Sequence, residues 1–251
     1  MRKIVLIIVA VLGLCACSET EEQYTLMTYN VGVFSKYKDN SAAEVAALIK
    51  ESGACLVALN ELDSCNRRHG NFQLKDLAKE LGGWNYHFAS AFPYAGGAYG
   101  NGVVSREPVL ANYSISLPRF DGAEPRSCAV VETDRCVFGA VHLDHKGDSA
   151  SIAQARVLSN WFNARYSGSD KPVFLCGDMN CVPEGATITE LLKEWNLLSG
   201  TGYSFPSTAP RKCIDYIFAL KSAASVQTLS AAVLTEAGDA SDHLPVTVLL
   251  K

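Results

Sequence analysis

Carboxylates, imidazoles and amides stand at the ends of apolar runs along this chain. "YTLMTYN" ends in Asn30, "CLVALNE" ends in Glu61, "VFGAVHLDH" carries His142 and Asp144, and "VFLCGDMN" closes on Asp178 and Asn180. Two later runs invert the order. Asp215 precedes the apolar residues of "IDYIFAL", and Asp242 and His243 precede those of "SDHLPVTVLL". Each group has an ordinary explanation: Asn30 suits a turn, Glu61 a solvated loop, His142 a hydrogen-bonded core position, Asp215 and Asp242 a cap. Their shared placement at run ends favours convergence on one site. Hard oxygen donors without paired thiolates suit Mg²⁺ or Mn²⁺ better than zinc. Beside two histidines, such an ion points to hydrolysis of a phosphate ester. The cation would polarise a phosphoryl oxygen, the imidazoles would hydrogen-bond the others, and a carboxylate would activate water. An HExxH helix, a Walker glycine loop and a GxSxG elbow are all absent, which removes the commonest zinc-protease, nucleoside-triphosphatase and serine-hydrolase readings.

Positioning these groups constrains the strands. Four runs carry their polar residues at the exit and two at the entrance, so the clusters share a rim only if the last two strands run against the others. That requires a mixed sheet and excludes an all-parallel nucleotide-binding sheet. Leu244, Val246, Val248 and Leu250 alternate as a strand with one buried face does. Helices are expected from a Ser41/Glu44 capping box, from Asn71 with Leu74, Leu77 and Leu81 on one face and Gly82-Gly83 as the stop, over 149–166, and over 187–197. The third would bury Ile152, Val157, Leu158 and Trp161 or Phe162, and the fourth Ile188, Leu191, Leu192 and Trp195. The Gly-rich stretch "HFASAFPYAGGAYG" offers Phe88, Phe92, Tyr94 and Tyr99 as a loop for stacking bases, for covering a sugar or lipid head group, or for core packing. Arg67, Arg68 and His69 could steer an anion, although a solvated loop is the commoner reading of such a cluster.

At 251 residues, with 48% hydrophobic and 19% charged content, the chain has ordinary globular composition. Residues 1–17, "MRKIVLIIVAVLGLCAC", combine a basic start with a short apolar stretch and a small-residue end; they resemble a bacterial lipoprotein leader with Cys17 as the lipidated residue. Residues 18–23 form an acidic tether, and 24–251 one domain without linker or repeat. Removing Arg2 and Lys3 leaves 20 basic against 26 acidic side chains, a net charge of −6, which disfavours broad adhesion to nucleic acid. Seven cysteines remain after Cys17, with no CxxC pair to suggest a zinc site and no even-numbered disulfide framework.

The ordered motifs "TYNVG", "LNELD", "GNGVVSREP", "VHLDHKG", "GDMNCVP", "IDYIF" and "SDHLPV" resemble the endonuclease/exonuclease/phosphatase superfamily from about Thr28 to the C-terminus. The resemblance implies an α/β fold, a four-layer α/β sandwich in which two mixed, mostly antiparallel β-sheets pack face to face with helices on both outer sides. It also implies a metal-dependent phosphoric ester hydrolase. Glu61 would be the principal metal ligand, aided by Asn30 and Asp242. Asp178 would align and activate water, Asn180 and His142 would contact the phosphoryl group, and His243, oriented by Asp215, would stabilise the transition state. Asn101 and Ser105 would shape the site wall, and Arg126 and Asp144 are expected to contact substrate. Asn60 stands where many relatives carry Gln. Expected partners are a phosphate-ester substrate, whether nucleic acid, nucleotide, phospholipid head group or sugar phosphate, and the membrane of a bacterial envelope through lipidated Cys17. No obligate protein partner is implied. Nuclease and sphingomyelinase- or phospholipase C-like activities remain open, as does a catalytically silent binding lipoprotein.

Overall fold

Most core strands read as unbroken apolar runs, because both of their faces are covered. The computed structural model describes residues 22–120 and 122–251, so the expected leader and most of the tether lie outside the described residues. In chain order the elements are β1 (Tyr24–Asn30), α1 (Ala42–Glu51), β2 (Ala54–Ser64), α2 (Gln73–Glu80), β3 (Asn85–Tyr94), β4 (Gly97–Ser105), β5 (Ala111–Ser116), β6 (Ser127–Glu132) and β7 (Val137–His142). There follow α3 (Asp148–Tyr166), β8 (Val173–Asp178), α4 (Ala186–Leu191), β9 (Trp195–Leu197), β10 (Asp215–Leu220), β11 (Thr228–Val233) and β12 (Val246–Leu250).

Two six-stranded sheets result, ordered β11-β12-β1-β2-β4-β3 and β5-β6-β7-β8-β10-β9. Side-chain alternation divides the core into three layers. Leu26, Leu56, Ala58, Phe138, Phe174 and Ile217 fill the space between the sheets. Met27, Val57 and Leu59 point the other way, onto Ile49 of α1 and Leu74 and Leu77 of α2. On the far side, Val141 and Leu175 meet Leu158 and Phe162 of α3 and Ile188 of α4. The four-layer α/β sandwich is thus observed, with two mixed sheets. The six runs with polar ends form the centre of both sheets, three in each. β1 is parallel to β2 and antiparallel to β12; β7 is parallel to β8, which is antiparallel to β10. The required strand reversal is therefore present, once per sheet.

Several local expectations are corrected. Ser41 precedes α1 but makes no side-chain cap; Asn40 Oδ1 accepts the Ala42 N–H at 3.0 Å instead, and Glu44 pairs with Lys38. α3 buries Ser151, Gln154, Ala155, Leu158 and Phe162. Val157 is rotated about 100° from Leu158 and lies exposed. α4 ends at Leu191, leaving Leu192 exposed and placing Trp195 in β9, where it is buried against Phe162 and donates to Ser159. The Gly-rich aromatic stretch belongs to the β3–β4 hairpin rather than to a loop. All seven cysteines from Cys55 onward are free.

Candidate active site

Register brings the polar strand ends together. On one sheet His142 pairs across the parallel ladder with Asp178, which pairs across the antiparallel ladder with Asp215. On the other, Asn30 lies beside Asn60. Gly177, directly before Asp178, has φ +146°, and a Cβ there would stand 1.8 Å from the Val141 carbonyl oxygen. Only glycine lets β8 approach β7 so closely at this point.

Asp178 Oδ2 is the centre of the constellation. It lies 3.1 Å from Asn30 Nδ2, 3.5 Å from His142 Nε2 and 3.7 Å from His243 Nε2. Oδ1 accepts the Asn180 N–H at 2.8 Å. Asn180 Nδ2 in turn lies 2.9 Å from His142 Nε2 and donates to the Leu143 carbonyl. His243 Nδ1 meets Asp215 Oδ2 at 2.9 Å, and Ser204 Oγ donates to that same oxygen at 2.6 Å. The Phe205 ring covers the His243 imidazole at 4.7 Å.

Burial and neighbouring charge together set the protonation states. Burial pushes the Asp178 carboxyl up to about 7, with the neighbouring Asp215 carboxylate adding to the rise. Burial opposes the positive charge on His243, but Asp215 and Asp178 outweigh it and hold the imidazolium to about 10. His142 goes the other way: burial, then the Arg126 guanidinium, keep it well below the ordinary imidazole value. The two histidines are therefore different instruments, one neutral and one cationic, on either side of a carboxylate that is more basic than usual.

A second group of oxygens lies on the opposite flank. Glu61 sits where β2 breaks register, between Leu59 and Leu62, with φ +57°. Asn30 Nδ2 donates to its Oε1 at 3.3 Å. Lys36 Nζ lies 3.3 Å from Glu61 Oε2 and 3.6 Å from Asp242 Oδ2. Burial works against the ammonium, and these two carboxylates raise its pKa regardless. The Glu61 and Asp242 oxygens, which already draw in a cation, fit a hard metal ion, whereas Asn30, expected as a third ligand, turns its Nδ2 to Glu61 and gives its Oδ1 to the Gly32 N–H at 3.1 Å. Asp178, Asp215 and His243 also cluster within 4.8 Å. Their closest atoms are committed to one another, so the Glu61–Asp242 pair is the better candidate for metal, with Asn30 hydrogen-bonded to Glu61 beside it.

Glu61, Arg126, His142, Asp178, Asn180, Asp242 and His243 line one cleft of about 370 Å³. Asn30 and Asp215 stand directly behind it through the bonds above. Asn101 and Asp144 are set apart. Asn101 accepts from Asn60 Nδ2 at 3.1 Å and donates to the Ser127 carbonyl, so it joins the sheets and does not face the cleft. Asp144 is buried in its own turn, accepting the Lys146 N–H at 2.8 Å. Ser105 likewise turns to Glu107, bonding its backbone on both sides. Arg126 reaches the cleft but directs its Nη atoms at His142 Nδ1 (3.3 Å) and His145 Nδ1 (3.2 Å). Asn60 spans both sheets: its Nδ2 donates to Val141 O at 2.9 Å and its Oδ1 accepts the Asp178 N–H at 3.0 Å.

Lys36, Tyr99, Glu124, His145, Ser204 and Phe205 also border or support the cleft, and apart from Tyr99 nothing in the sequence marks them as site residues. Lys36 and Phe205 lie in polar loop stretches, where no periodicity marks them. His145 was legible as part of "VHLDH" but had no assigned role.

This arrangement defines a phosphoesterase-type fold and site. The description "Endonuclease/Exonuclease/phosphatase family" matches residues 27–243, and the chain belongs to that family. Among solved structures it is similar to an endonuclease/exonuclease/phosphatase from Beutenbergia cavernae (22% identity over 91% of this chain and 71% of that one, TM-score 0.75). It is similar also to a mannosyl-6-phosphatase from Bacteroides thetaiotaomicron (20% identity, 91% and 99% covered, TM-score 0.75). A third is D. rerio TDP2 complexed with a single-strand DNA product (16% identity, 92% and 100% covered, TM-score 0.69). No curated protein sequence matches the chain.

Proposed function

We propose that this protein hydrolyses phosphate esters with Mg²⁺ or Mn²⁺ held by Glu61 and Asp242, Asn30 steadying Glu61 through its Nδ2. When bound, the ion would neutralise charge on a phosphoryl oxygen and on the leaving oxygen. The chain's own residues supply the remainder. Asp178 orients the attacking water and takes its proton, a task suited to a carboxyl raised to about 7. The His243 imidazolium, fixed by Asp215, opposes the negative charge that grows on the phosphoryl oxygens. Asn180 and neutral His142 hold the remaining oxygens in place.

The observation that carries this reading is the position of Asp178 Oδ2, within 3.1–3.7 Å of side-chain nitrogens from β1, β7 and the loop before β12. A compact ester is favoured over a nucleic acid. The net charge is −4, and no excess of basic side chains surrounds the cleft. Similarity to a mannosyl-6-phosphatase and to TDP2 with a DNA product keeps both ester classes in the test. Purified protein assayed with Mg²⁺ on hexose phosphates, nucleotides, sphingomyelin and plasmid DNA, then with EDTA, should show EDTA-sensitive turnover of a small ester. EDTA-insensitive rates, or no turnover of any ester, would refute the proposal.

We further infer attachment to a bacterial envelope through lipidated Cys17. The support is the pattern of residues 1–17, and radiolabelled fatty acid incorporation lost in Cys17→Ala is the check. Among the described residues no helix is long and apolar enough to cross a membrane.

A further inference from the structure

A smaller cavity of about 170 Å³ opens beside the catalytic cleft and shares Glu61, Tyr99 and Glu124 with it. Its wall is built from an unusual anchor. Asp63 is fully buried, and its oxygens receive Arg68 Nε at 2.7 Å, Arg68 Nη2 at 2.8 Å and His69 Nδ1 at 2.6 Å. A buried carboxylate needs such partners, and the two-pronged bond fixes the guanidinium plane. Arg68 then lies over Tyr94, 4.8 Å from the ring centre, and 5.8 Å from that of Tyr99. Phe92 packs against Tyr99 at 5.4 Å.

Backbone irregularities place this hairpin. β2 breaks register between Leu59 and Leu62, and β3 between Ser90 and Phe92. At Gly97 a Cβ would stand 2.2 Å from the Ser64 carbonyl oxygen, so glycine alone permits the close approach of β4 to the end of β2. Both breaks lie next to the cavity, and the twist they introduce is the usual consequence of a bulge.

The lining identifies its ligand by chemistry. Its charged groups are two cations, Lys36 and Arg68, and two carboxylates, Glu61 and Glu124, so the cavity offers no positive excess to a polyanion. Its volume is well below the roughly 300 Å³ at which drug-sized pockets begin, which limits the occupant to about one ring. A base would stack on open aromatic faces, but Arg68 already covers Tyr94 and Tyr99. What remains is an apolar edge from Phe92 and Tyr99, uncommitted guanidinium donors, and an acceptor in Glu124. This set suits a ring with C–H faces and a hydroxyl rim.

We propose that this cavity seats the alcohol part of the substrate, a neutral polyhydroxylated ring of hexose size, with Arg68 and Phe92 as its specificity-determining residues. The assignment rests on the phosphoesterase reading, because the phosphate of such an ester would occupy the adjoining cleft.

The test compares kcat/KM, with Mg²⁺, for a hexose 6-phosphate, ethyl phosphate and adenosine 5′-monophosphate. The wild type should favour the hexose ester over ethyl phosphate by at least about tenfold, and Arg68→Met and Phe92→Ala should each erase most of that preference, mainly through KM. Arg68→Met strands Asp63 and can fail to fold; Phe92→Ala, on the half-buried hairpin, keeps the test decisive. An unchanged ratio in folded Phe92→Ala, or preference for the nucleotide, overturns the proposal. Calorimetry on Asp178→Asn protein separates it from the hydrolase reading. Without turnover of any ester, hexose 6-phosphate binding weakened by Phe92→Ala while inorganic phosphate binding stays constant sinks the hydrolase but supports the cavity. Equal hexose 6-phosphate binding with and without Phe92→Ala overturns the cavity assignment.

Discussion

The two flanks of the cleft are held by different means. On one, His142, Asp178 and Asp215 occupy adjacent register positions on three hydrogen-bonded strands, and the two acids are buried to within 2%. On the other, Glu61 stands on a break in β2 and Asp242 in a loop, with side chains 18% and 21% exposed and tied through Lys36. The ladder fixes Asp178, assigned to proton transfer, and Asp215, which holds the His243 imidazolium from the neighbouring loop. The partly exposed flank leaves its carboxylates room to exchange one cation for another. Precise positioning matters most where a proton moves, and adjustable ligands suit an ion that arrives from solvent.

Substitutions can break this contrast. On the rigid flank, Asp178→Asn and His243→Ala should each reduce kcat by at least about a hundredfold without unfolding the protein. Steady-state kinetics with circular dichroism checks this, and near-normal rates in either variant would remove that residue's role. Asn60→Ala should destabilise by about 2 kcal/mol, because it strands the Asp178 N–H and the Val141 carbonyl between the sheets. The readout is the urea midpoint, and an unchanged midpoint would deny Asn60 its bridging role.

Asp215→Asn probes the same flank through pH. The His243 pKa is raised to about 10 from 6.5, so its contribution to stability is complete below 6.5 and is lost as pH rises toward 10. The melting-temperature gap between wild type and Asp215→Asn should therefore narrow from pH 7 to pH 10; a gap that widens contradicts the charge assignment. On the adjustable flank, Lys36→Met should lower the Mg²⁺ concentration that half-stabilises the protein by at least about threefold, since the ion no longer competes with an ammonium. Thermal shifts against Mg²⁺ concentration would show it. Far from both flanks, Val157→Ser on α3 should change stability by less than about 0.5 kcal/mol, as expected at an exposed position. A larger loss would mean that the helix presents a different face.

Much of this is legible in the sequence. Asn30, Glu61, His142, Asp178, Asn180, Asp242 and His243 stood out because they end or begin apolar runs, and the direction of each run correctly required antiparallel partners for β10 and β12. Arg126, Asn101 and Asp144 were equally visible as residue types, yet the structure turns Asn101 and Asp144 inward and directs Arg126 to two histidines. Lys36 and the Asp63–Arg68 pair were hidden, since an ion pair leaves no periodic trace. Val157 and Trp195 were misplaced because helical period alone does not say where a helix ends or which neighbour supplies its cover.

Local pattern determined the strands, their direction and the chemistry carried at their tips, because alternation and run ends are properties of neighbouring residues. The tertiary fold alone decided which of those tips share a cleft and what charge each bears. Asn30 reaches Asp178 across 148 residues of chain, and His243 stays charged while His142 does not. Register across two sheets and the depth of burial set those outcomes, and neither quantity is written in any local stretch of the chain.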